Sequence, residues 1–214
     1  MAISKVNFNS LNLTPTASKT VVFNSNNNGI EAGDVGGSLV LISEQTASSS
    51  ANISFTSGID STYKEYVFKF INIHPASNDV DLTFNGSADT GSNYNVTKTT
   101  TFFHAYHDEA DNNTALGYDT SSDLAQSTAF QVIHQGVGNN NDNCSVGFLH
   151  LFNPSDTTFV KHFIITSNRL SSGGFGVNTY VAGYFNTTSA IDAIQFKMSS
   201  GNIDSGTIKM YGVT

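Results

Sequence analysis

The sequence predicts an all-β protein: an antiparallel β-sandwich, jelly-roll-like, with an extended N-terminal arm. Three observations predict it. Apolar residues recur with period two, as in Val80, Leu82 and Phe84 against Asp81, Thr83 and Asn85, or Ile194, Phe196 and Met198 against Gln195 and Lys197. The composition suits strands joined by turns: charged residues make up only 12%, Ser, Thr and Asn about a third, and 18 glycines accompany 16 phenylalanines and 8 tyrosines. No segment keeps a helical period, and no fixed-length repeat signals a propeller or solenoid. A chain of 214 residues suits one domain with a full core, and two packed antiparallel sheets are the expected arrangement.

Residues 1–35 read as an arm. They are rich in Asn, Ser and Thr, with small apolar clusters at Val6, Phe8, Leu11 and Leu13 and at Val21, Val22 and Phe23, and a turn signal in NSNNNG at 24–29. Such an arm packs on its own domain or pairs with the sheet edge of a neighbouring subunit. Residues 36–214 read as a single sandwich. GGSLVLIS (36–43) and ANISFTS (51–57), separated by QTASSS, predict a hairpin. In 64–73, Tyr66, Phe68 and Phe70 alternate with Val67, Lys69 and Ile71, so both faces are apolar and the strand is central. The 79–85 segment reads as a half-exposed strand. GSADTGSNYN (86–95) is a polar tip, and TTTFFHAYH (99–107) resumes extended structure. Residues 108–129 are the one stretch not plainly β, with a helical turn expected around Ser121–Gln126. FQVIHQ (130–135), CSVGFLHLF (144–152) and TTFVKHFIITS (157–167) are strands, with NPSD a turn. RLSSGGFGVN (169–178) predicts a flexible loop. TYVAGYFN (179–186), IDAIQFKMS (191–199) and SGTIKMYGV (205–213) complete ten to twelve strands, with SGNID a short hairpin connection.

Bulk charge and targeting narrow the function classes. A net charge of −8 and a pI near 4.9 repel phosphates, so no nucleic-acid partner is expected. The start, MAISKVNFNSLNLTP, has neither a basic n-region nor a long apolar run, so the expectation is synthesis in a cytoplasm with no membrane partner. The single cysteine, Cys144, forms no intramolecular disulfide and has no cationic sequence neighbour to activate it, so it reads as structural.

The candidate chemistry is thin. The densest polar cluster, His104 to Asp111, contains His107, Asp108, Glu109 and Asp111, residue types that hold metals. On a strand, however, His104 and His107 point to opposite faces. The loop from Ser87 through Asp89 and Gly91 to Asn93 offers oxygen ligands that suit Ca²⁺, but it lacks the EF-hand order and a closing Glu, and a hairpin tip explains it equally well. There is no G-x-S-x-G elbow, no P-loop and no dinucleotide fingerprint. Among the acids, nothing singles out a carboxylate pair for glycoside hydrolysis. The expectation is therefore no catalytic residue, no bound cofactor and no metal, with Asp89, Asn93, His107, Asp108, Glu109 and Asp111 as the metal candidates and Ca²⁺ as the ion they would suit.

Three phrases carry a resemblance: YKEYVFKFINIHPASNDVDLTFNGSADTGSNYNV, HLFNPSDTTFVKHF and AGYFNTTSAIDAIQFKMSSGNIDSGTIKMYGV. The chain resembles structural proteins of marine tailed phages, including cyanophage-type viruses. The likeness covers most of 58–214, and its final block is the most specific part. It implies a virion component with a β-rich fold and identifies no catalytic residue. The leading expectation is an outer capsid decoration or cement protein, made in the host cytoplasm and carried on the outer surface of the virion. Its partners would be the major capsid protein or tail proteins, and it would form a homo-oligomer, a trimer foremost. The alternatives are a tail, collar or fibre protein that binds host glycans, and a polysaccharide hydrolase resting on the His104–Asp111 cluster alone. Loops 86–95 and 169–178 are the expected contact surfaces.

Overall fold

A computed structural model describes residues 19–23, 30–34 and 38–214. The chain divides into two compact units, Met1–Ser38 and Leu39–Thr214. In the first, β1 (Lys19–Phe23) and β2 (Ile30–Asp34) form an antiparallel hairpin, with Phe23 opposite Ile30. The clusters at Val6–Leu13 and the 24–29 turn signal lie outside the described residues.

The second unit runs through β3 (Leu39–Ser50), β4 (Ile53–Phe55), β5 (Glu65–Pro75), β6 (Val80–Ser87), β7 (Lys98–Asp108) and β8 (Thr114–Tyr118). It continues through β9 (Gln131–Val137), β10 (Ser145–Phe152), β11 (Lys161–Leu170), β12 (Phe175–Phe185), β13 (Ala193–Met198) and β14 (Ile203–Val213). Eight strands form one sheet, in the order β3-β14-β5-β10-β11-β12-β7-β8, and four form the other, β4-β13-β6-β9. All pairings are antiparallel, as the sequence predicts for a sandwich. In sequence, every strand of the small sheet is flanked by strands of the large one. The chain of this unit therefore crosses between layers repeatedly, and among its described strands only β7–β8, β10–β11 and β11–β12 are sequence neighbours that pair.

The two layers meet through phenylalanines. Phe55, Phe84 and Phe196 of the small sheet pack edge-on or tilted against Phe68, Phe70, Phe163 and Phe185 of the large one, with centroids such as 5.0 Å for Phe84–Phe163 and 5.2 Å for Phe70–Phe196. Each buried ring contributes about 1.5–3 kcal/mol by leaving water, and the paired geometry about 0.5–1.5 kcal/mol more. Polar anchors tie loops to this core. The Asn85 side chain donates to the carbonyls of Tyr94 and Thr128, and the buried Lys98 ammonium donates to those of Ala129 and Val96.

Several local expectations are corrected. The segments 36–43 and 51–57 do not form a hairpin: QTASSS continues β3 as an edge strand, and β4 belongs to the other sheet. Residues 200–202 likewise connect β13 to β14 across the two sheets. The 79–85 strand is not half-exposed. As part of β6 it lies between β13 and β9, and Thr83 and Asn85 are buried with hydrogen bonds. No helical turn forms at Ser121–Gln126, because the Leu124 backbone exchanges hydrogen bonds with Thr100 of β7 instead of with its own chain. Residues 114–118, within the segment left unassigned, form β8. The 169–178 loop is mostly strand, with β11 and β12 joined by a tight turn at 171–174, where the Gly174 N–H donates to the Ser171 carbonyl.

Candidate functional site

The sheets are unequal, so β7 and β8 extend past the small sheet's edge strand β9. A cleft of about 300 Å³ opens there, lined by His104 and Tyr106 of β7, Gln135 of β9, Arg169 of β11, Ser171 of the β11–β12 turn, and Phe175 and Val177 of β12. Strand alternation places these side chains. Even-numbered residues of β7 face inward, and the four-stranded sheet of this unit has no strand beyond β9 to cover them. Tyr106 and Phe175 meet edge to face at 5.5 Å and 86°, and the His104 ring lies 5.9 Å from Tyr106. The Gln135 amide nitrogen donates to Ser122 Oγ at 2.7 Å. Arg169 Nη1 donates to the Gly136 carbonyl at 2.9 Å, while its buried Nε has no partner. Burial pulls the Arg169 guanidinium below its usual range, and the nearby Asp79 and Asp81 carboxylates oppose that shift.

The outer face of the large sheet is a second distinctive surface. Across six consecutive strands, Lys69, Phe148, Thr166, Tyr180, Phe103 and Tyr118 stand opposite one another in a single row. Phe103 and Tyr180 stack at 4.9 Å with their planes 14° apart. Phe148, Tyr180, Phe103 and Tyr118 are all more than a third exposed, as are Ile164 and Leu116 in the flanking rows, and Leu116 reaches 73%. On this face Lys209 pairs with Glu44 at 2.9 Å, Glu65 hydrogen-bonds His150 Nδ1 at 2.6 Å, and Lys69 lies over the Phe148 ring.

The metal candidates are scattered or self-satisfied. Asp89 and Asn93 do come together, but as acceptor and donor. Asp89 takes hydrogen bonds from Ser87 Oγ and from the Asn93 backbone and amide, which hold its carboxyl down at about 2. His107 and Asp111 pair at 3.0 Å in solvent on the outer side of β7. Asp108 points inward and accepts from the Asn112 and Asn113 N–H groups and the Asn113 amide; the Asn113 backbone does most to hold its carboxyl below the usual range. Glu109 turns toward the 171–174 turn, where its N–H donates to the Gly174 carbonyl at 3.0 Å. Among the described residues, no three His, Cys, Asp or Glu side chains are grouped to hold a metal.

A serine–histidine contact exists elsewhere, at His134 Nδ1 and Ser167 Oγ, 2.8 Å apart. Both residues are sealed in the core, where no substrate reaches the hydroxyl. Burial above all, together with the charge of Arg169, lowers the His134 imidazole to about 3, too weak a base for nucleophile activation. Comparison of the chain with protein-family models, curated proteins and solved structures gave no match.

Of the cleft residues, His104 and Tyr106 fall in the His104–Asp111 stretch, and Arg169, Ser171, Phe175 and Val177 fall in the 169–178 segment expected as a contact surface; Gln135 alone lies in neither, and nothing in the sequence brings the two stretches together. One signal was available: Arg169 is the only arginine in the chain.

Proposed function

We propose that this chain is a structural protein of a tailed-phage particle, carried on the outer capsid surface as a decoration protein, and that it works by contact and not by catalysis. The observation that carries the reading is the outer face of the eight-stranded sheet. It is broad, aromatic and nearly charge-balanced in its central rows, on a chain whose net charge is −8. Monomeric proteins rarely expose apolar surface over so wide an area. Eight strands spaced about 4.8 Å apart give a face roughly 34 Å wide. That is ample for the ~800 Å² per partner of a standard interface.

A second copy of this chain is the first occupant of that face. Two copies meet there without the repulsion that their overall charge produces elsewhere. The major capsid protein is the second partner. The acidic balance keeps the protein off packaged DNA, and the resemblance across 58–214 supports a virion component. Quantitative mass spectrometry of purified particles tests this reading. The expected result is a copy number comparable to that of the major capsid protein. A handful of copies moves the protein to the tail or a vertex, and complete absence from the particle overturns the reading.

A further inference from the structure

We infer that the cleft between β7, β9 and the β11–β12 turn binds a neutral saccharide. This goes beyond the proposed structural role, and its test is independent of it. The cleft joins an aromatic wall, formed by Tyr106 and Phe175, to convergent polar groups with unused hydrogen-bonding capacity. Among the described residues, neither the His104 ring nitrogens nor the Tyr106 hydroxyl has a hydrogen-bond partner. The Gln135 side chain, whose nitrogen donates to Ser122 Oγ, lines the same space, and no described residue donates to its carbonyl oxygen. Ser171 Oγ accepts from the Phe175 N–H, so its own proton is free to donate. A mostly apolar concavity with a few converging polar atoms is the usual form of a small-molecule site, and about 300 Å³ lies at the small end of the range for such sites.

The chemistry selects the ligand class. A pyranose offers an apolar C–H face to an aromatic ring and vicinal hydroxyls that both donate and accept. The cleft supplies that set: ring surface, acceptors at Gln135 and His104, and donors at Ser171, Tyr106 and Arg169. An anionic ligand fits less well. The one cation, Arg169, already donates to the Gly136 carbonyl and sits in the field of Asp79 and Asp81, and Asp119 lies close enough to influence the imidazole and amide side of the cleft. An oligosaccharide would enter from the open end beyond β9, with its terminal ring against Tyr106.

The experiment titrates the full chain with the methyl glycosides of glucose, galactose, mannose, N-acetylglucosamine and N-acetylgalactosamine, and with methyl glucuronide, read by saturation-transfer NMR. At least one neutral glycoside is expected to bind saturably. In Tyr106→Ala and Gln135→Ala, affinity should fall at least tenfold while the thermal transition stays cooperative. Tyr106→Phe, which keeps the ring, covers the case in which the alanine variant fails to fold, and is expected to weaken binding without abolishing it. Phe159→Ala, an exposed side chain between β10 and β11 and away from the cleft, should leave binding unchanged. Absence of saturable binding by every glycoside overturns the inference. So does binding untouched by the Gln135 and Tyr106 substitutions, or lost on Phe159→Ala. Tighter binding of the glucuronide than of the glucoside overturns the assignment to neutral sugars.

Discussion

His134 sets how this sandwich answers acid. Its imidazole is fully buried, holds Ser167 through Nδ1 and titrates at about 3 in the folded chain against 6.5 when exposed. The folded pKa is depressed, so between these two values the unfolded chain binds a proton that the native one refuses. The His134 contribution to stability is then full above pH 6.5 and falls by about 1.4 kcal/mol per pH unit as pH drops toward 3. In His134→Gln this slope should vanish, although the variant starts lower at pH 7 through the altered Ser167 contact. Urea unfolding of both proteins across this range checks it, and a free-energy difference that stays constant with pH contradicts it. Residues of this kind were the least legible. His134 follows Ile133 in FQVIHQ, where strand alternation predicts that one of the two is exposed, yet both are buried, because the β6–β9 register shifts between Leu82–His134 and Thr83–Val132, a bulge that leaves Ile133 in the apolar core and His134 against Ser167 of the large sheet. Lys98 is hidden in the same way: two backbone carbonyls make its burial tolerable, and composition does not reveal them. Burial still lowers its ammonium to about 7.

At the scale of elements, strand existence was far more legible than strand partnership. Period-two alternation marks β5, β6 and β13 clearly, because each packs an apolar face on the core. The same pattern does not reveal which sheet a strand joins. Adjacency in sequence suggested hairpins for β3–β4 and β13–β14, but long-range packing places each pair in opposite layers. β8 escaped notice because its side chains are almost all exposed and carry no burial signal. One element-scale prediction concerns β10, which sits between β5 and β11. A Cβ on Gly147 would come within 2.6 Å of the Thr166 carbonyl oxygen and 2.7 Å of the Ser167 Cα, both backbone atoms that cannot swing aside. Gly147→Ala should therefore destabilise the sandwich by about 1–3 kcal/mol. It should also disturb the Ser167–His134 bond, visible as a shifted imidazole resonance. A melting temperature equal to wild type would show that β10 and β11 separate freely, contrary to their close pairing.

At the scale of the whole molecule, the sequence foresaw the sandwich and pointed to 169–178, which lines much of the cleft, but not to the cleft as a whole or to the aromatic sheet face. The cleft exists because eight strands face four, an imbalance that no local pattern encodes. The aromatic row on the large sheet arises from the registers of β5, β10, β11, β12, β7 and β8 together. In sequence, its members look like scattered core candidates. The loops expected to carry contacts are largely tied down: Asp89 closes the 86–95 tip on itself, and 169–178 is mostly paired strand. In the proposed structural role, contact falls to the sheet face, where a flat, rigid surface is presented. A face that meets its own copy across a two-fold axis gives a dimer, and one that meets a different surface gives the trimer that the sequence reading favours. Either mass contains the same buried row. Sedimentation equilibrium of the purified chain, beside a Phe103→Glu, Tyr180→Glu double variant, is the most direct measurement. The account predicts an oligomer for the wild type and a folded monomer for the variant, because two carboxylates would have to be buried in the contact. A wild-type chain that stays monomeric at high concentration, or a variant that assembles as well as wild type, would contradict it.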